Sequence, residues 1–270
     1  MRAYVGALLI YTFADLRDLI KTGELPGISI SDLEPPISIE KVLSVIAKNR
    51  EILKEKFAGH EEFEQRMCAL KDFQPKMKKT TSNSERKGKP MEMIMSRNTI
   101  LTHFNDEKST EEMVHGITVN YVRRRITIIF RGSVTQQDFI IDAKCHQKKV
   151  ANPVSDLLLD QSQTTKTINI HSGFHEYLSK TDQNGDTRLE RIICDVKNLL
   201  KENPGYRVYC TGHSLGGALS TLCGFYFASD DEIIQNGPVT IVSIASPLVG
   251  NMEFRVAFQA LERQLTKKIL

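Results

Sequence analysis

Tyr209-Cys210-Thr211-Gly212-His213-Ser214-Leu215-Gly216-Gly217-Ala218 contains G-x-S-x-G between the apolar run Tyr206–Cys210 and the helical pattern Leu215–Ala228. No other feature constrains the fold as much, because the motif has meaning only on a sharp turn from strand to helix. A serine hydroxyl pushed out on such a turn needs neighbours without side chains, since the backbone folds back too closely for β-carbons. The helix N-terminus behind Ser214 brings free N–H groups and a positive dipole end, both favourable to a developing oxyanion. Ser214 is therefore read as a nucleophile. His213 is read as packing beside the elbow, because adjacent side chains on a tight turn diverge.

The surrounding pattern alternates strands and helices. Ile117–Val122 and Ile126–Phe130 are short β-branched runs separated by Arg123-Arg124-Arg125, which predicts two neighbouring strands and a turn. Leu189, Ile192, Ile193, Val196, Leu199 and Leu200 predict a helix over 190–201, ended by Asn203-Pro204-Gly205. Val239–Ala245 is an almost wholly apolar strand, expected to be buried on both faces as in a parallel sheet between helices. The alternation is that of an α/β fold.

A second oxyanion donor is expected from a loop after an earlier strand. Ile126–Phe130 ends in Arg131-Gly132-Ser133, where Ser133 could present its N–H and hydroxyl. Four ordered blocks then stand out: Phe130-Arg131-Gly132-Ser133, His171-Ser172-Gly173-Phe174, Thr211 to Ala218, and Ser246-Pro247-Leu248-Val249-Gly250-Asn251. Together they resemble the class 3 (fungal-lipase-like) family of α/β-hydrolases over roughly residues 98–270. Leu248 departs from the arginine frequent in that family. The resemblance implies an α/β-hydrolase-type, mostly parallel sheet flanked by helices, with Ser214 as nucleophile and Ser133 and Leu215 forming the oxyanion hole. It implies a lid over Thr135–Lys149, whose Phe139-Ile140-Ile141 would cover the acyl pocket in water. It also implies a triad Asp and His in chain order after the serine.

No histidine follows His213, and the later carboxylates are Asp230, Asp231, Glu232, Glu253 and Glu262. The resemblance places the acid at the end of the strand after helix Glu253–Leu265, and Lys267-Lys268-Ile269-Leu270 reads as the start of that strand. The expectation is a hydrolase sheet incomplete at its C-terminus, with the triad Asp and His beyond residue 270 and little esterase activity in residues 1–270 alone.

Residues 1–73 read as an N-terminal helical region and 74–97 as a basic flexible linker, ahead of a hydrolase domain over 98–270. Val5, Leu8, Leu9, Phe13, Leu16, Leu19 and Ile20 keep a helical period, with Gly23 at the C-cap position. Ala3–Phe13 also imitates a signal-peptide core, with Thr12-Phe13-Ala14 as its cleavage site, and this secretory reading stays open. Ser38 is read as the cap of a second helix carrying Val42, Leu43, Ile46, Ile52, Leu53 and Phe57.

Pro75–Pro90 holds Lys76, Lys78, Lys79, Arg86, Lys87 and Lys89 against Glu85 alone, a net of +5 in a chain of +3. The excess belongs to one segment, read as a solvated linker or as an anchor for anionic lipid head groups. A strongly basic nucleic-acid binder and a membrane-spanning chain are excluded. Five cysteines in 270 residues, with no CxxC pair, exclude a disulfide scaffold and read as mostly buried free thiols. They favour a cytoplasmic or peripheral-membrane location.

Asp182-Gln183-Asn184-Gly185-Asp186 lacks the later residues of a calcium loop, and His171 and His175 lack the Glu of a zinc helix, so no metal or cofactor is expected. The function read from the residues and the resemblance is a serine ester hydrolase, triacylglycerol lipase-like, in lipid metabolism. It would act on acylglycerols or related acyl lipids at a lipid–water interface through an acyl-enzyme on Ser214. The alternatives are a phospholipase or galactolipase, and a non-catalytic hydrolase-fold domain that binds lipid or a partner.

Overall fold

The computed structural model describes residues 2–58, 98–106, 114–132, 146–154 and 166–267, with side chains from residue 9 to residue 263. Its centre is an open, mixed α/β-hydrolase sheet. Strand β1 is Ile37–Ser38, β2 Thr99–Asn105, β3 His115–Asn120, β4 Arg125–Phe130, β7 Arg207–His213 and β8 Thr240–Ile244, in the order β1-β2-β3-β4-β7-β8. The first four pair antiparallel, whereas β4, β7 and β8 run parallel. A separate antiparallel pair, β5 Gln147–Ala151 and β6 Thr167–His171, lies beside the sheet. The last residues of the segment read as a lid, Gln147–Lys149, thus belong to a strand, while residues 133–145 lie outside the described residues.

Local signals set the helices. Helix α1, Arg2–Lys21, runs straight through Thr12-Phe13-Ala14 and ends as its glycine requires. Gly23 takes φ +76, its N–H donates to the Ile20 carbonyl and the Glu24 N–H to Leu19. The second helical stretch is two helices, α2 Ile39–Lys48 and α3 Arg50–Lys56. Ser38 caps α2 through the Lys41 N–H, and Asn49 breaks the run because its side chain donates to the Val45 carbonyl. Helix α4 spans Ser172–Ser179. Helix α5, Arg188–Glu202, starts in a capping box in which the Thr187 hydroxyl accepts from Glu190 N–H and the Glu190 carboxylate accepts from Thr187 N–H. Such a cap contributes about 1 kcal/mol. Helix α6 is Leu215–Ala228, α7 Asp231–Ile234 and α8 Met252–Lys267.

Strand alternation divides the core in two. Ile126, Ile128 and Phe130 of β4 join α4, α5, α6 and α8 on one face, whereas Ile129 joins α1, α2, Leu101 and Val114 on the other. The described part of the N-terminal region therefore shares a core with the sheet: Ile10, Phe13 and Leu16 of α1 are buried against it, and β1 pairs with β2. The residues read as the linker, 74–97, lie outside the described residues.

One expectation needs correction. Strand β8 is not buried on both faces, because it is the outer strand of the described sheet and its residues are half-buried or exposed. The reading of mostly buried free thiols holds among the described residues, where Cys210 of β7 and Cys223 of α6 are buried and Cys194 is exposed. Burial, and then the neighbouring Cys210, push the Cys223 thiol well above its usual range.

Candidate functional site

Ser214 stands at the junction of β7 and α6 with φ +55 and ψ −124, a left-handed backbone that a non-glycine residue adopts at a cost of about 1–3 kcal/mol. Surrounding bonds hold it there. Its N–H donates to the Ile244 carbonyl at 2.9 Å, at the end of β8, and its own carbonyl accepts from Gly217 and Ala218. Its side chain is half-buried.

The glycines of the motif are required by contact. A β-carbon on Gly212 would overlap the Gly216 carbonyl, and one on Gly216 would overlap the carbonyl of Phe130. The first turn of α6 is thereby seated directly on the ends of β7 and β4. Leu215, 4% exposed, takes the first helical position, whose N–H has no intrahelical acceptor. The Gly217 carbonyl is held by the hydroxyls of Ser220, Thr221 and Ser243.

The four sequence blocks meet around this turn. Beyond Phe130, Arg131 is buried with its N–H on the Val114 carbonyl, and the Gly132 N–H donates to the Tyr11 hydroxyl at 2.6 Å. Ser133 follows directly but lies outside the described residues. The His171 N–H donates to the Val249 carbonyl and the Asn251 N–H to Asn169, which tie the second block to the fourth. Asn251 Oδ1 accepts from both Asn169 N–H and Phe254 N–H and so also caps α8. The His171 ring stacks on Phe174 at 4.2 Å. Leu248, at the departure from the family pattern, is 91% exposed.

The other candidates sit apart from the elbow. Alternation along β7 turns Gly212 toward α6 and His213, half-buried, toward the α1 side. Asp230 caps α7 and pairs with Lys197 at 2.8 Å, as does Glu232 at 3.0 Å. Both lie past the far end of α6, about 21 Å from Ser214 at 1.5 Å per residue. Glu253 is exposed on the first turn of α8. Asp182 accepts the N–H groups of Asn184 and Asp186, closing a tight loop, and His175 bonds the Ser179 hydroxyl. Burial, followed by the Lys148 charge, holds the His175 pKa below its usual value. Among the described residues no group of three or more His, Cys, Asp or Glu is placed to hold a metal ion, and no helix is long and apolar enough to cross a membrane.

Residues 127–269 match the family model described as lipase (class 3). The chain belongs to the class 3 lipase family. Among curated relatives, phospholipase A1-Igamma2, chloroplastic, of Arabidopsis thaliana is 30% identical over 155 residues, covering 52% of this chain and 28% of its own length. A lipase of Caenorhabditis elegans is 30% identical over 145 residues, covering 54% of this chain and 35% of its own. The chain thus spans about a third or less of the relatives it matches. A triacylglycerol lipase structure from Penicillium expansum aligns with a TM-score of 0.48 and 21% identity, over 60% of this chain and 56% of the other.

Sequence reasoning missed Tyr11 and the ion cluster behind it. Arg17, 5% exposed, donates to Asp106 and to the Leu33 carbonyl, and Lys21 reaches the same carboxylate. Polar residues inside an otherwise apolar helix stripe were the available signal. Their partners, 89 and 121 residues away in sequence, left none.

Proposed function

We propose that this chain belongs to a serine ester hydrolase that acts on acylglycerols or related acyl lipids, with Ser214 as its nucleophile. Ser214 Oγ attacks the ester carbonyl while a general base takes its proton, and the acyl group passes to Ser214 as the alcohol leaves. The Leu215 N–H and the N–H of Ser133 receive the developing oxyanion. Each donor of this kind is worth about 10²–10³ in rate. The observation that supports this reading best is the left-handed backbone of Ser214, held at a helix N-terminus by the Ile244 bond. Strain maintained by its surroundings at a half-buried serine is what a nucleophile elbow requires. Membership of the class 3 lipase family, with relatives named phospholipase A1, galactolipase and lipase, supports an acyl lipid as substrate.

The test is turnover of a short-chain ester and of phospholipid, galactolipid and triacylglycerol emulsions by protein expressed from the intact transcript. Ser214→Ala is expected to abolish it. Turnover that survives this substitution overturns the assignment, and lipid binding without any turnover would favour the non-catalytic reading.

A further inference from the structure

Strand β8 ends against the first turn of α6, and two bonds join them. The Ser214 N–H donates to the Ile244 carbonyl at 2.9 Å, and the Ser243 hydroxyl donates to the Gly217 carbonyl at 2.9 Å. The contact is close: a β-carbon on Gly217 would lie 3.0 Å from Ser243 Oγ, 3.1 Å from the Ile244 oxygen and 3.1 Å from Ser246 Cβ. Ser220 and Thr221 also donate to the Gly217 carbonyl, but both belong to α6 itself. Of the three hydroxyls, Ser243 is the one that comes from another element. Both ends of the turn 214–217 are therefore tied to β8, with Leu215 between them.

A second left-handed residue stands across this contact. Ala245 takes φ +49, beside φ +55 at Ser214, and residues with a β-carbon seldom adopt such a backbone. The Ile244 carbonyl and the Ala245 N–H share one peptide plane, so the turn at Ala245 fixes where that carbonyl points. The side chains of Ser243 and Ala245 are both exposed, so packing of those side chains does not impose the geometry. Backbone strain persists where surrounding bonds over-determine it, and here those bonds run to the elbow.

We infer that Ser243 and Ala245 are positioning residues for the nucleophile: the end of β8 clamps the first turn of α6, Ser243 through the Gly217 carbonyl and Ala245 through the aim of the Ile244 carbonyl. The inference rests on the proposed ester hydrolysis and adds the device that keeps Ser214 and the Leu215 N–H in place. Neither residue touches the reacting atoms. Loosening the clamp should slow the chemical step and leave substrate binding alone, because misalignment is felt by the attack and by the charge that develops during it.

The test compares wild type with Ser243→Ala, Ser243→Thr, Ala245→Val, Ala245→Gly and Ser214→Ala, in protein expressed from the intact transcript. Ester turnover is measured together with amide hydrogen exchange at Ser214 and, as the reference, at Leu222 in the middle of α6. Ser243→Ala removes the hydroxyl, and Ser243→Thr restores it, with room for the added methyl on an exposed side chain. Ala245→Val brings a β-branched side chain that resists positive φ, whereas Ala245→Gly accepts it. For Ser243→Ala and Ala245→Val the expected result is kcat lower by about threefold to tenfold with KM unchanged, and exchange at Ser214 faster by about the same factor, as losing one ordinary hydrogen bond implies. Exchange at Leu222 should not change. Ser243→Thr and Ala245→Gly should recover both readings. An intact kcat in Ser243→Ala or Ala245→Val where Ser214→Ala is dead overturns the inference. So does a change confined to KM, unchanged exchange at Ser214, or equal impairment in Ser243→Thr and Ala245→Gly. Turnover surviving in Ser214→Ala is a separate failure, that of the proposed reaction, and exchange at Ser214 then decides whether the clamp exists.

Discussion

Gly212 and Gly216 approach so closely that a β-carbon on the first would overlap the carbonyl of the second. Strand β7 and helix α6 thus cross at the elbow with no space for a side chain, and Ser214 occupies the turn between them. Gly212→Ala should separate the two backbones and cost about 1–3 kcal/mol, as overpacking of a close-packed site does. Urea unfolding should show a lower midpoint. Gly173→Ala is the contrast, since its added carbon would meet only the side chain of His171, at 3.3 Å, and a ring shift of a few tenths of an ångström accommodates it. It should change the midpoint little.

The elbow was legible in the sequence because its chemistry is local. Glycine spacing, the apolar run before it and the helical period after it lie within about 20 residues. The same holds for the Ser38 cap and the Gly23 helix end. What could not be read depends on contacts between distant segments. Val239–Ala245 has the composition of a buried strand, but composition does not say that β8 is the outer strand of the described sheet. Arg17 and Asp106 meet only once α1 lies on the sheet, and Tyr11 finds Gly132 only through the same docking. The site's second hole residue, Ser133, and most of the segment read as a lid lie outside the described residues.

His115 gives the fold a pH dependence. It is buried at the start of β3 with its ring near Phe130 and no hydrogen bond at Nδ1 among the described residues. Burial first, and then the charges of Arg191 and His103, lower its pKa from 6.5 to about 4. The unfolded chain thus binds a proton between those values that the native fold refuses. Stability from this group is fully present above about pH 6.5 and falls as the pH drops toward 4, by on the order of 3 kcal/mol. Urea midpoints measured from pH 7 to pH 4 should decline in wild type and decline less in His115→Leu.

Asp106 acts in a lower window. Burial opposes its ionisation, but the hydrogen bonds and charges of Arg17 and Lys21 outweigh burial and hold its pKa below the usual carboxylate value. The stability it gives is present above the ordinary aspartate pKa of about 3.9 and disappears as pH falls through the lower folded value. Asp106→Asn leaves Arg17 with only its longer pairing to the half-exposed Glu34 at 3.3 Å and should cost about 1.5–3 kcal/mol at pH 7, as losing a hydrogen bond between charged groups does. The difference from wild type should narrow below about pH 4. A constant difference down to pH 2, read by acid titration of far-UV circular dichroism, would contradict this assignment.

The outer strand should govern how the chain behaves in concentrated solution. Ile241, Val242 and Ile244 of β8 are only half-buried, and a groove of about 250 Å³ runs beside the strand between Phe225 of α6 and Phe258 and Leu261 of α8. An apolar outer strand with exposed backbone groups is a template for pairing with another chain, and a charge on it is the usual protection. Val242→Lys places that charge on the sheet face away from Ser243, whose hydroxyl is needed by Gly217. The strand bond from the Thr211 hydroxyl to the Val242 carbonyl is a backbone contact that lysine preserves. Static light scattering of the 270-residue chain should therefore show slower growth of aggregates in Val242→Lys than in wild type, at an unchanged far-UV spectrum. Equal growth rates would mean that association runs through another surface.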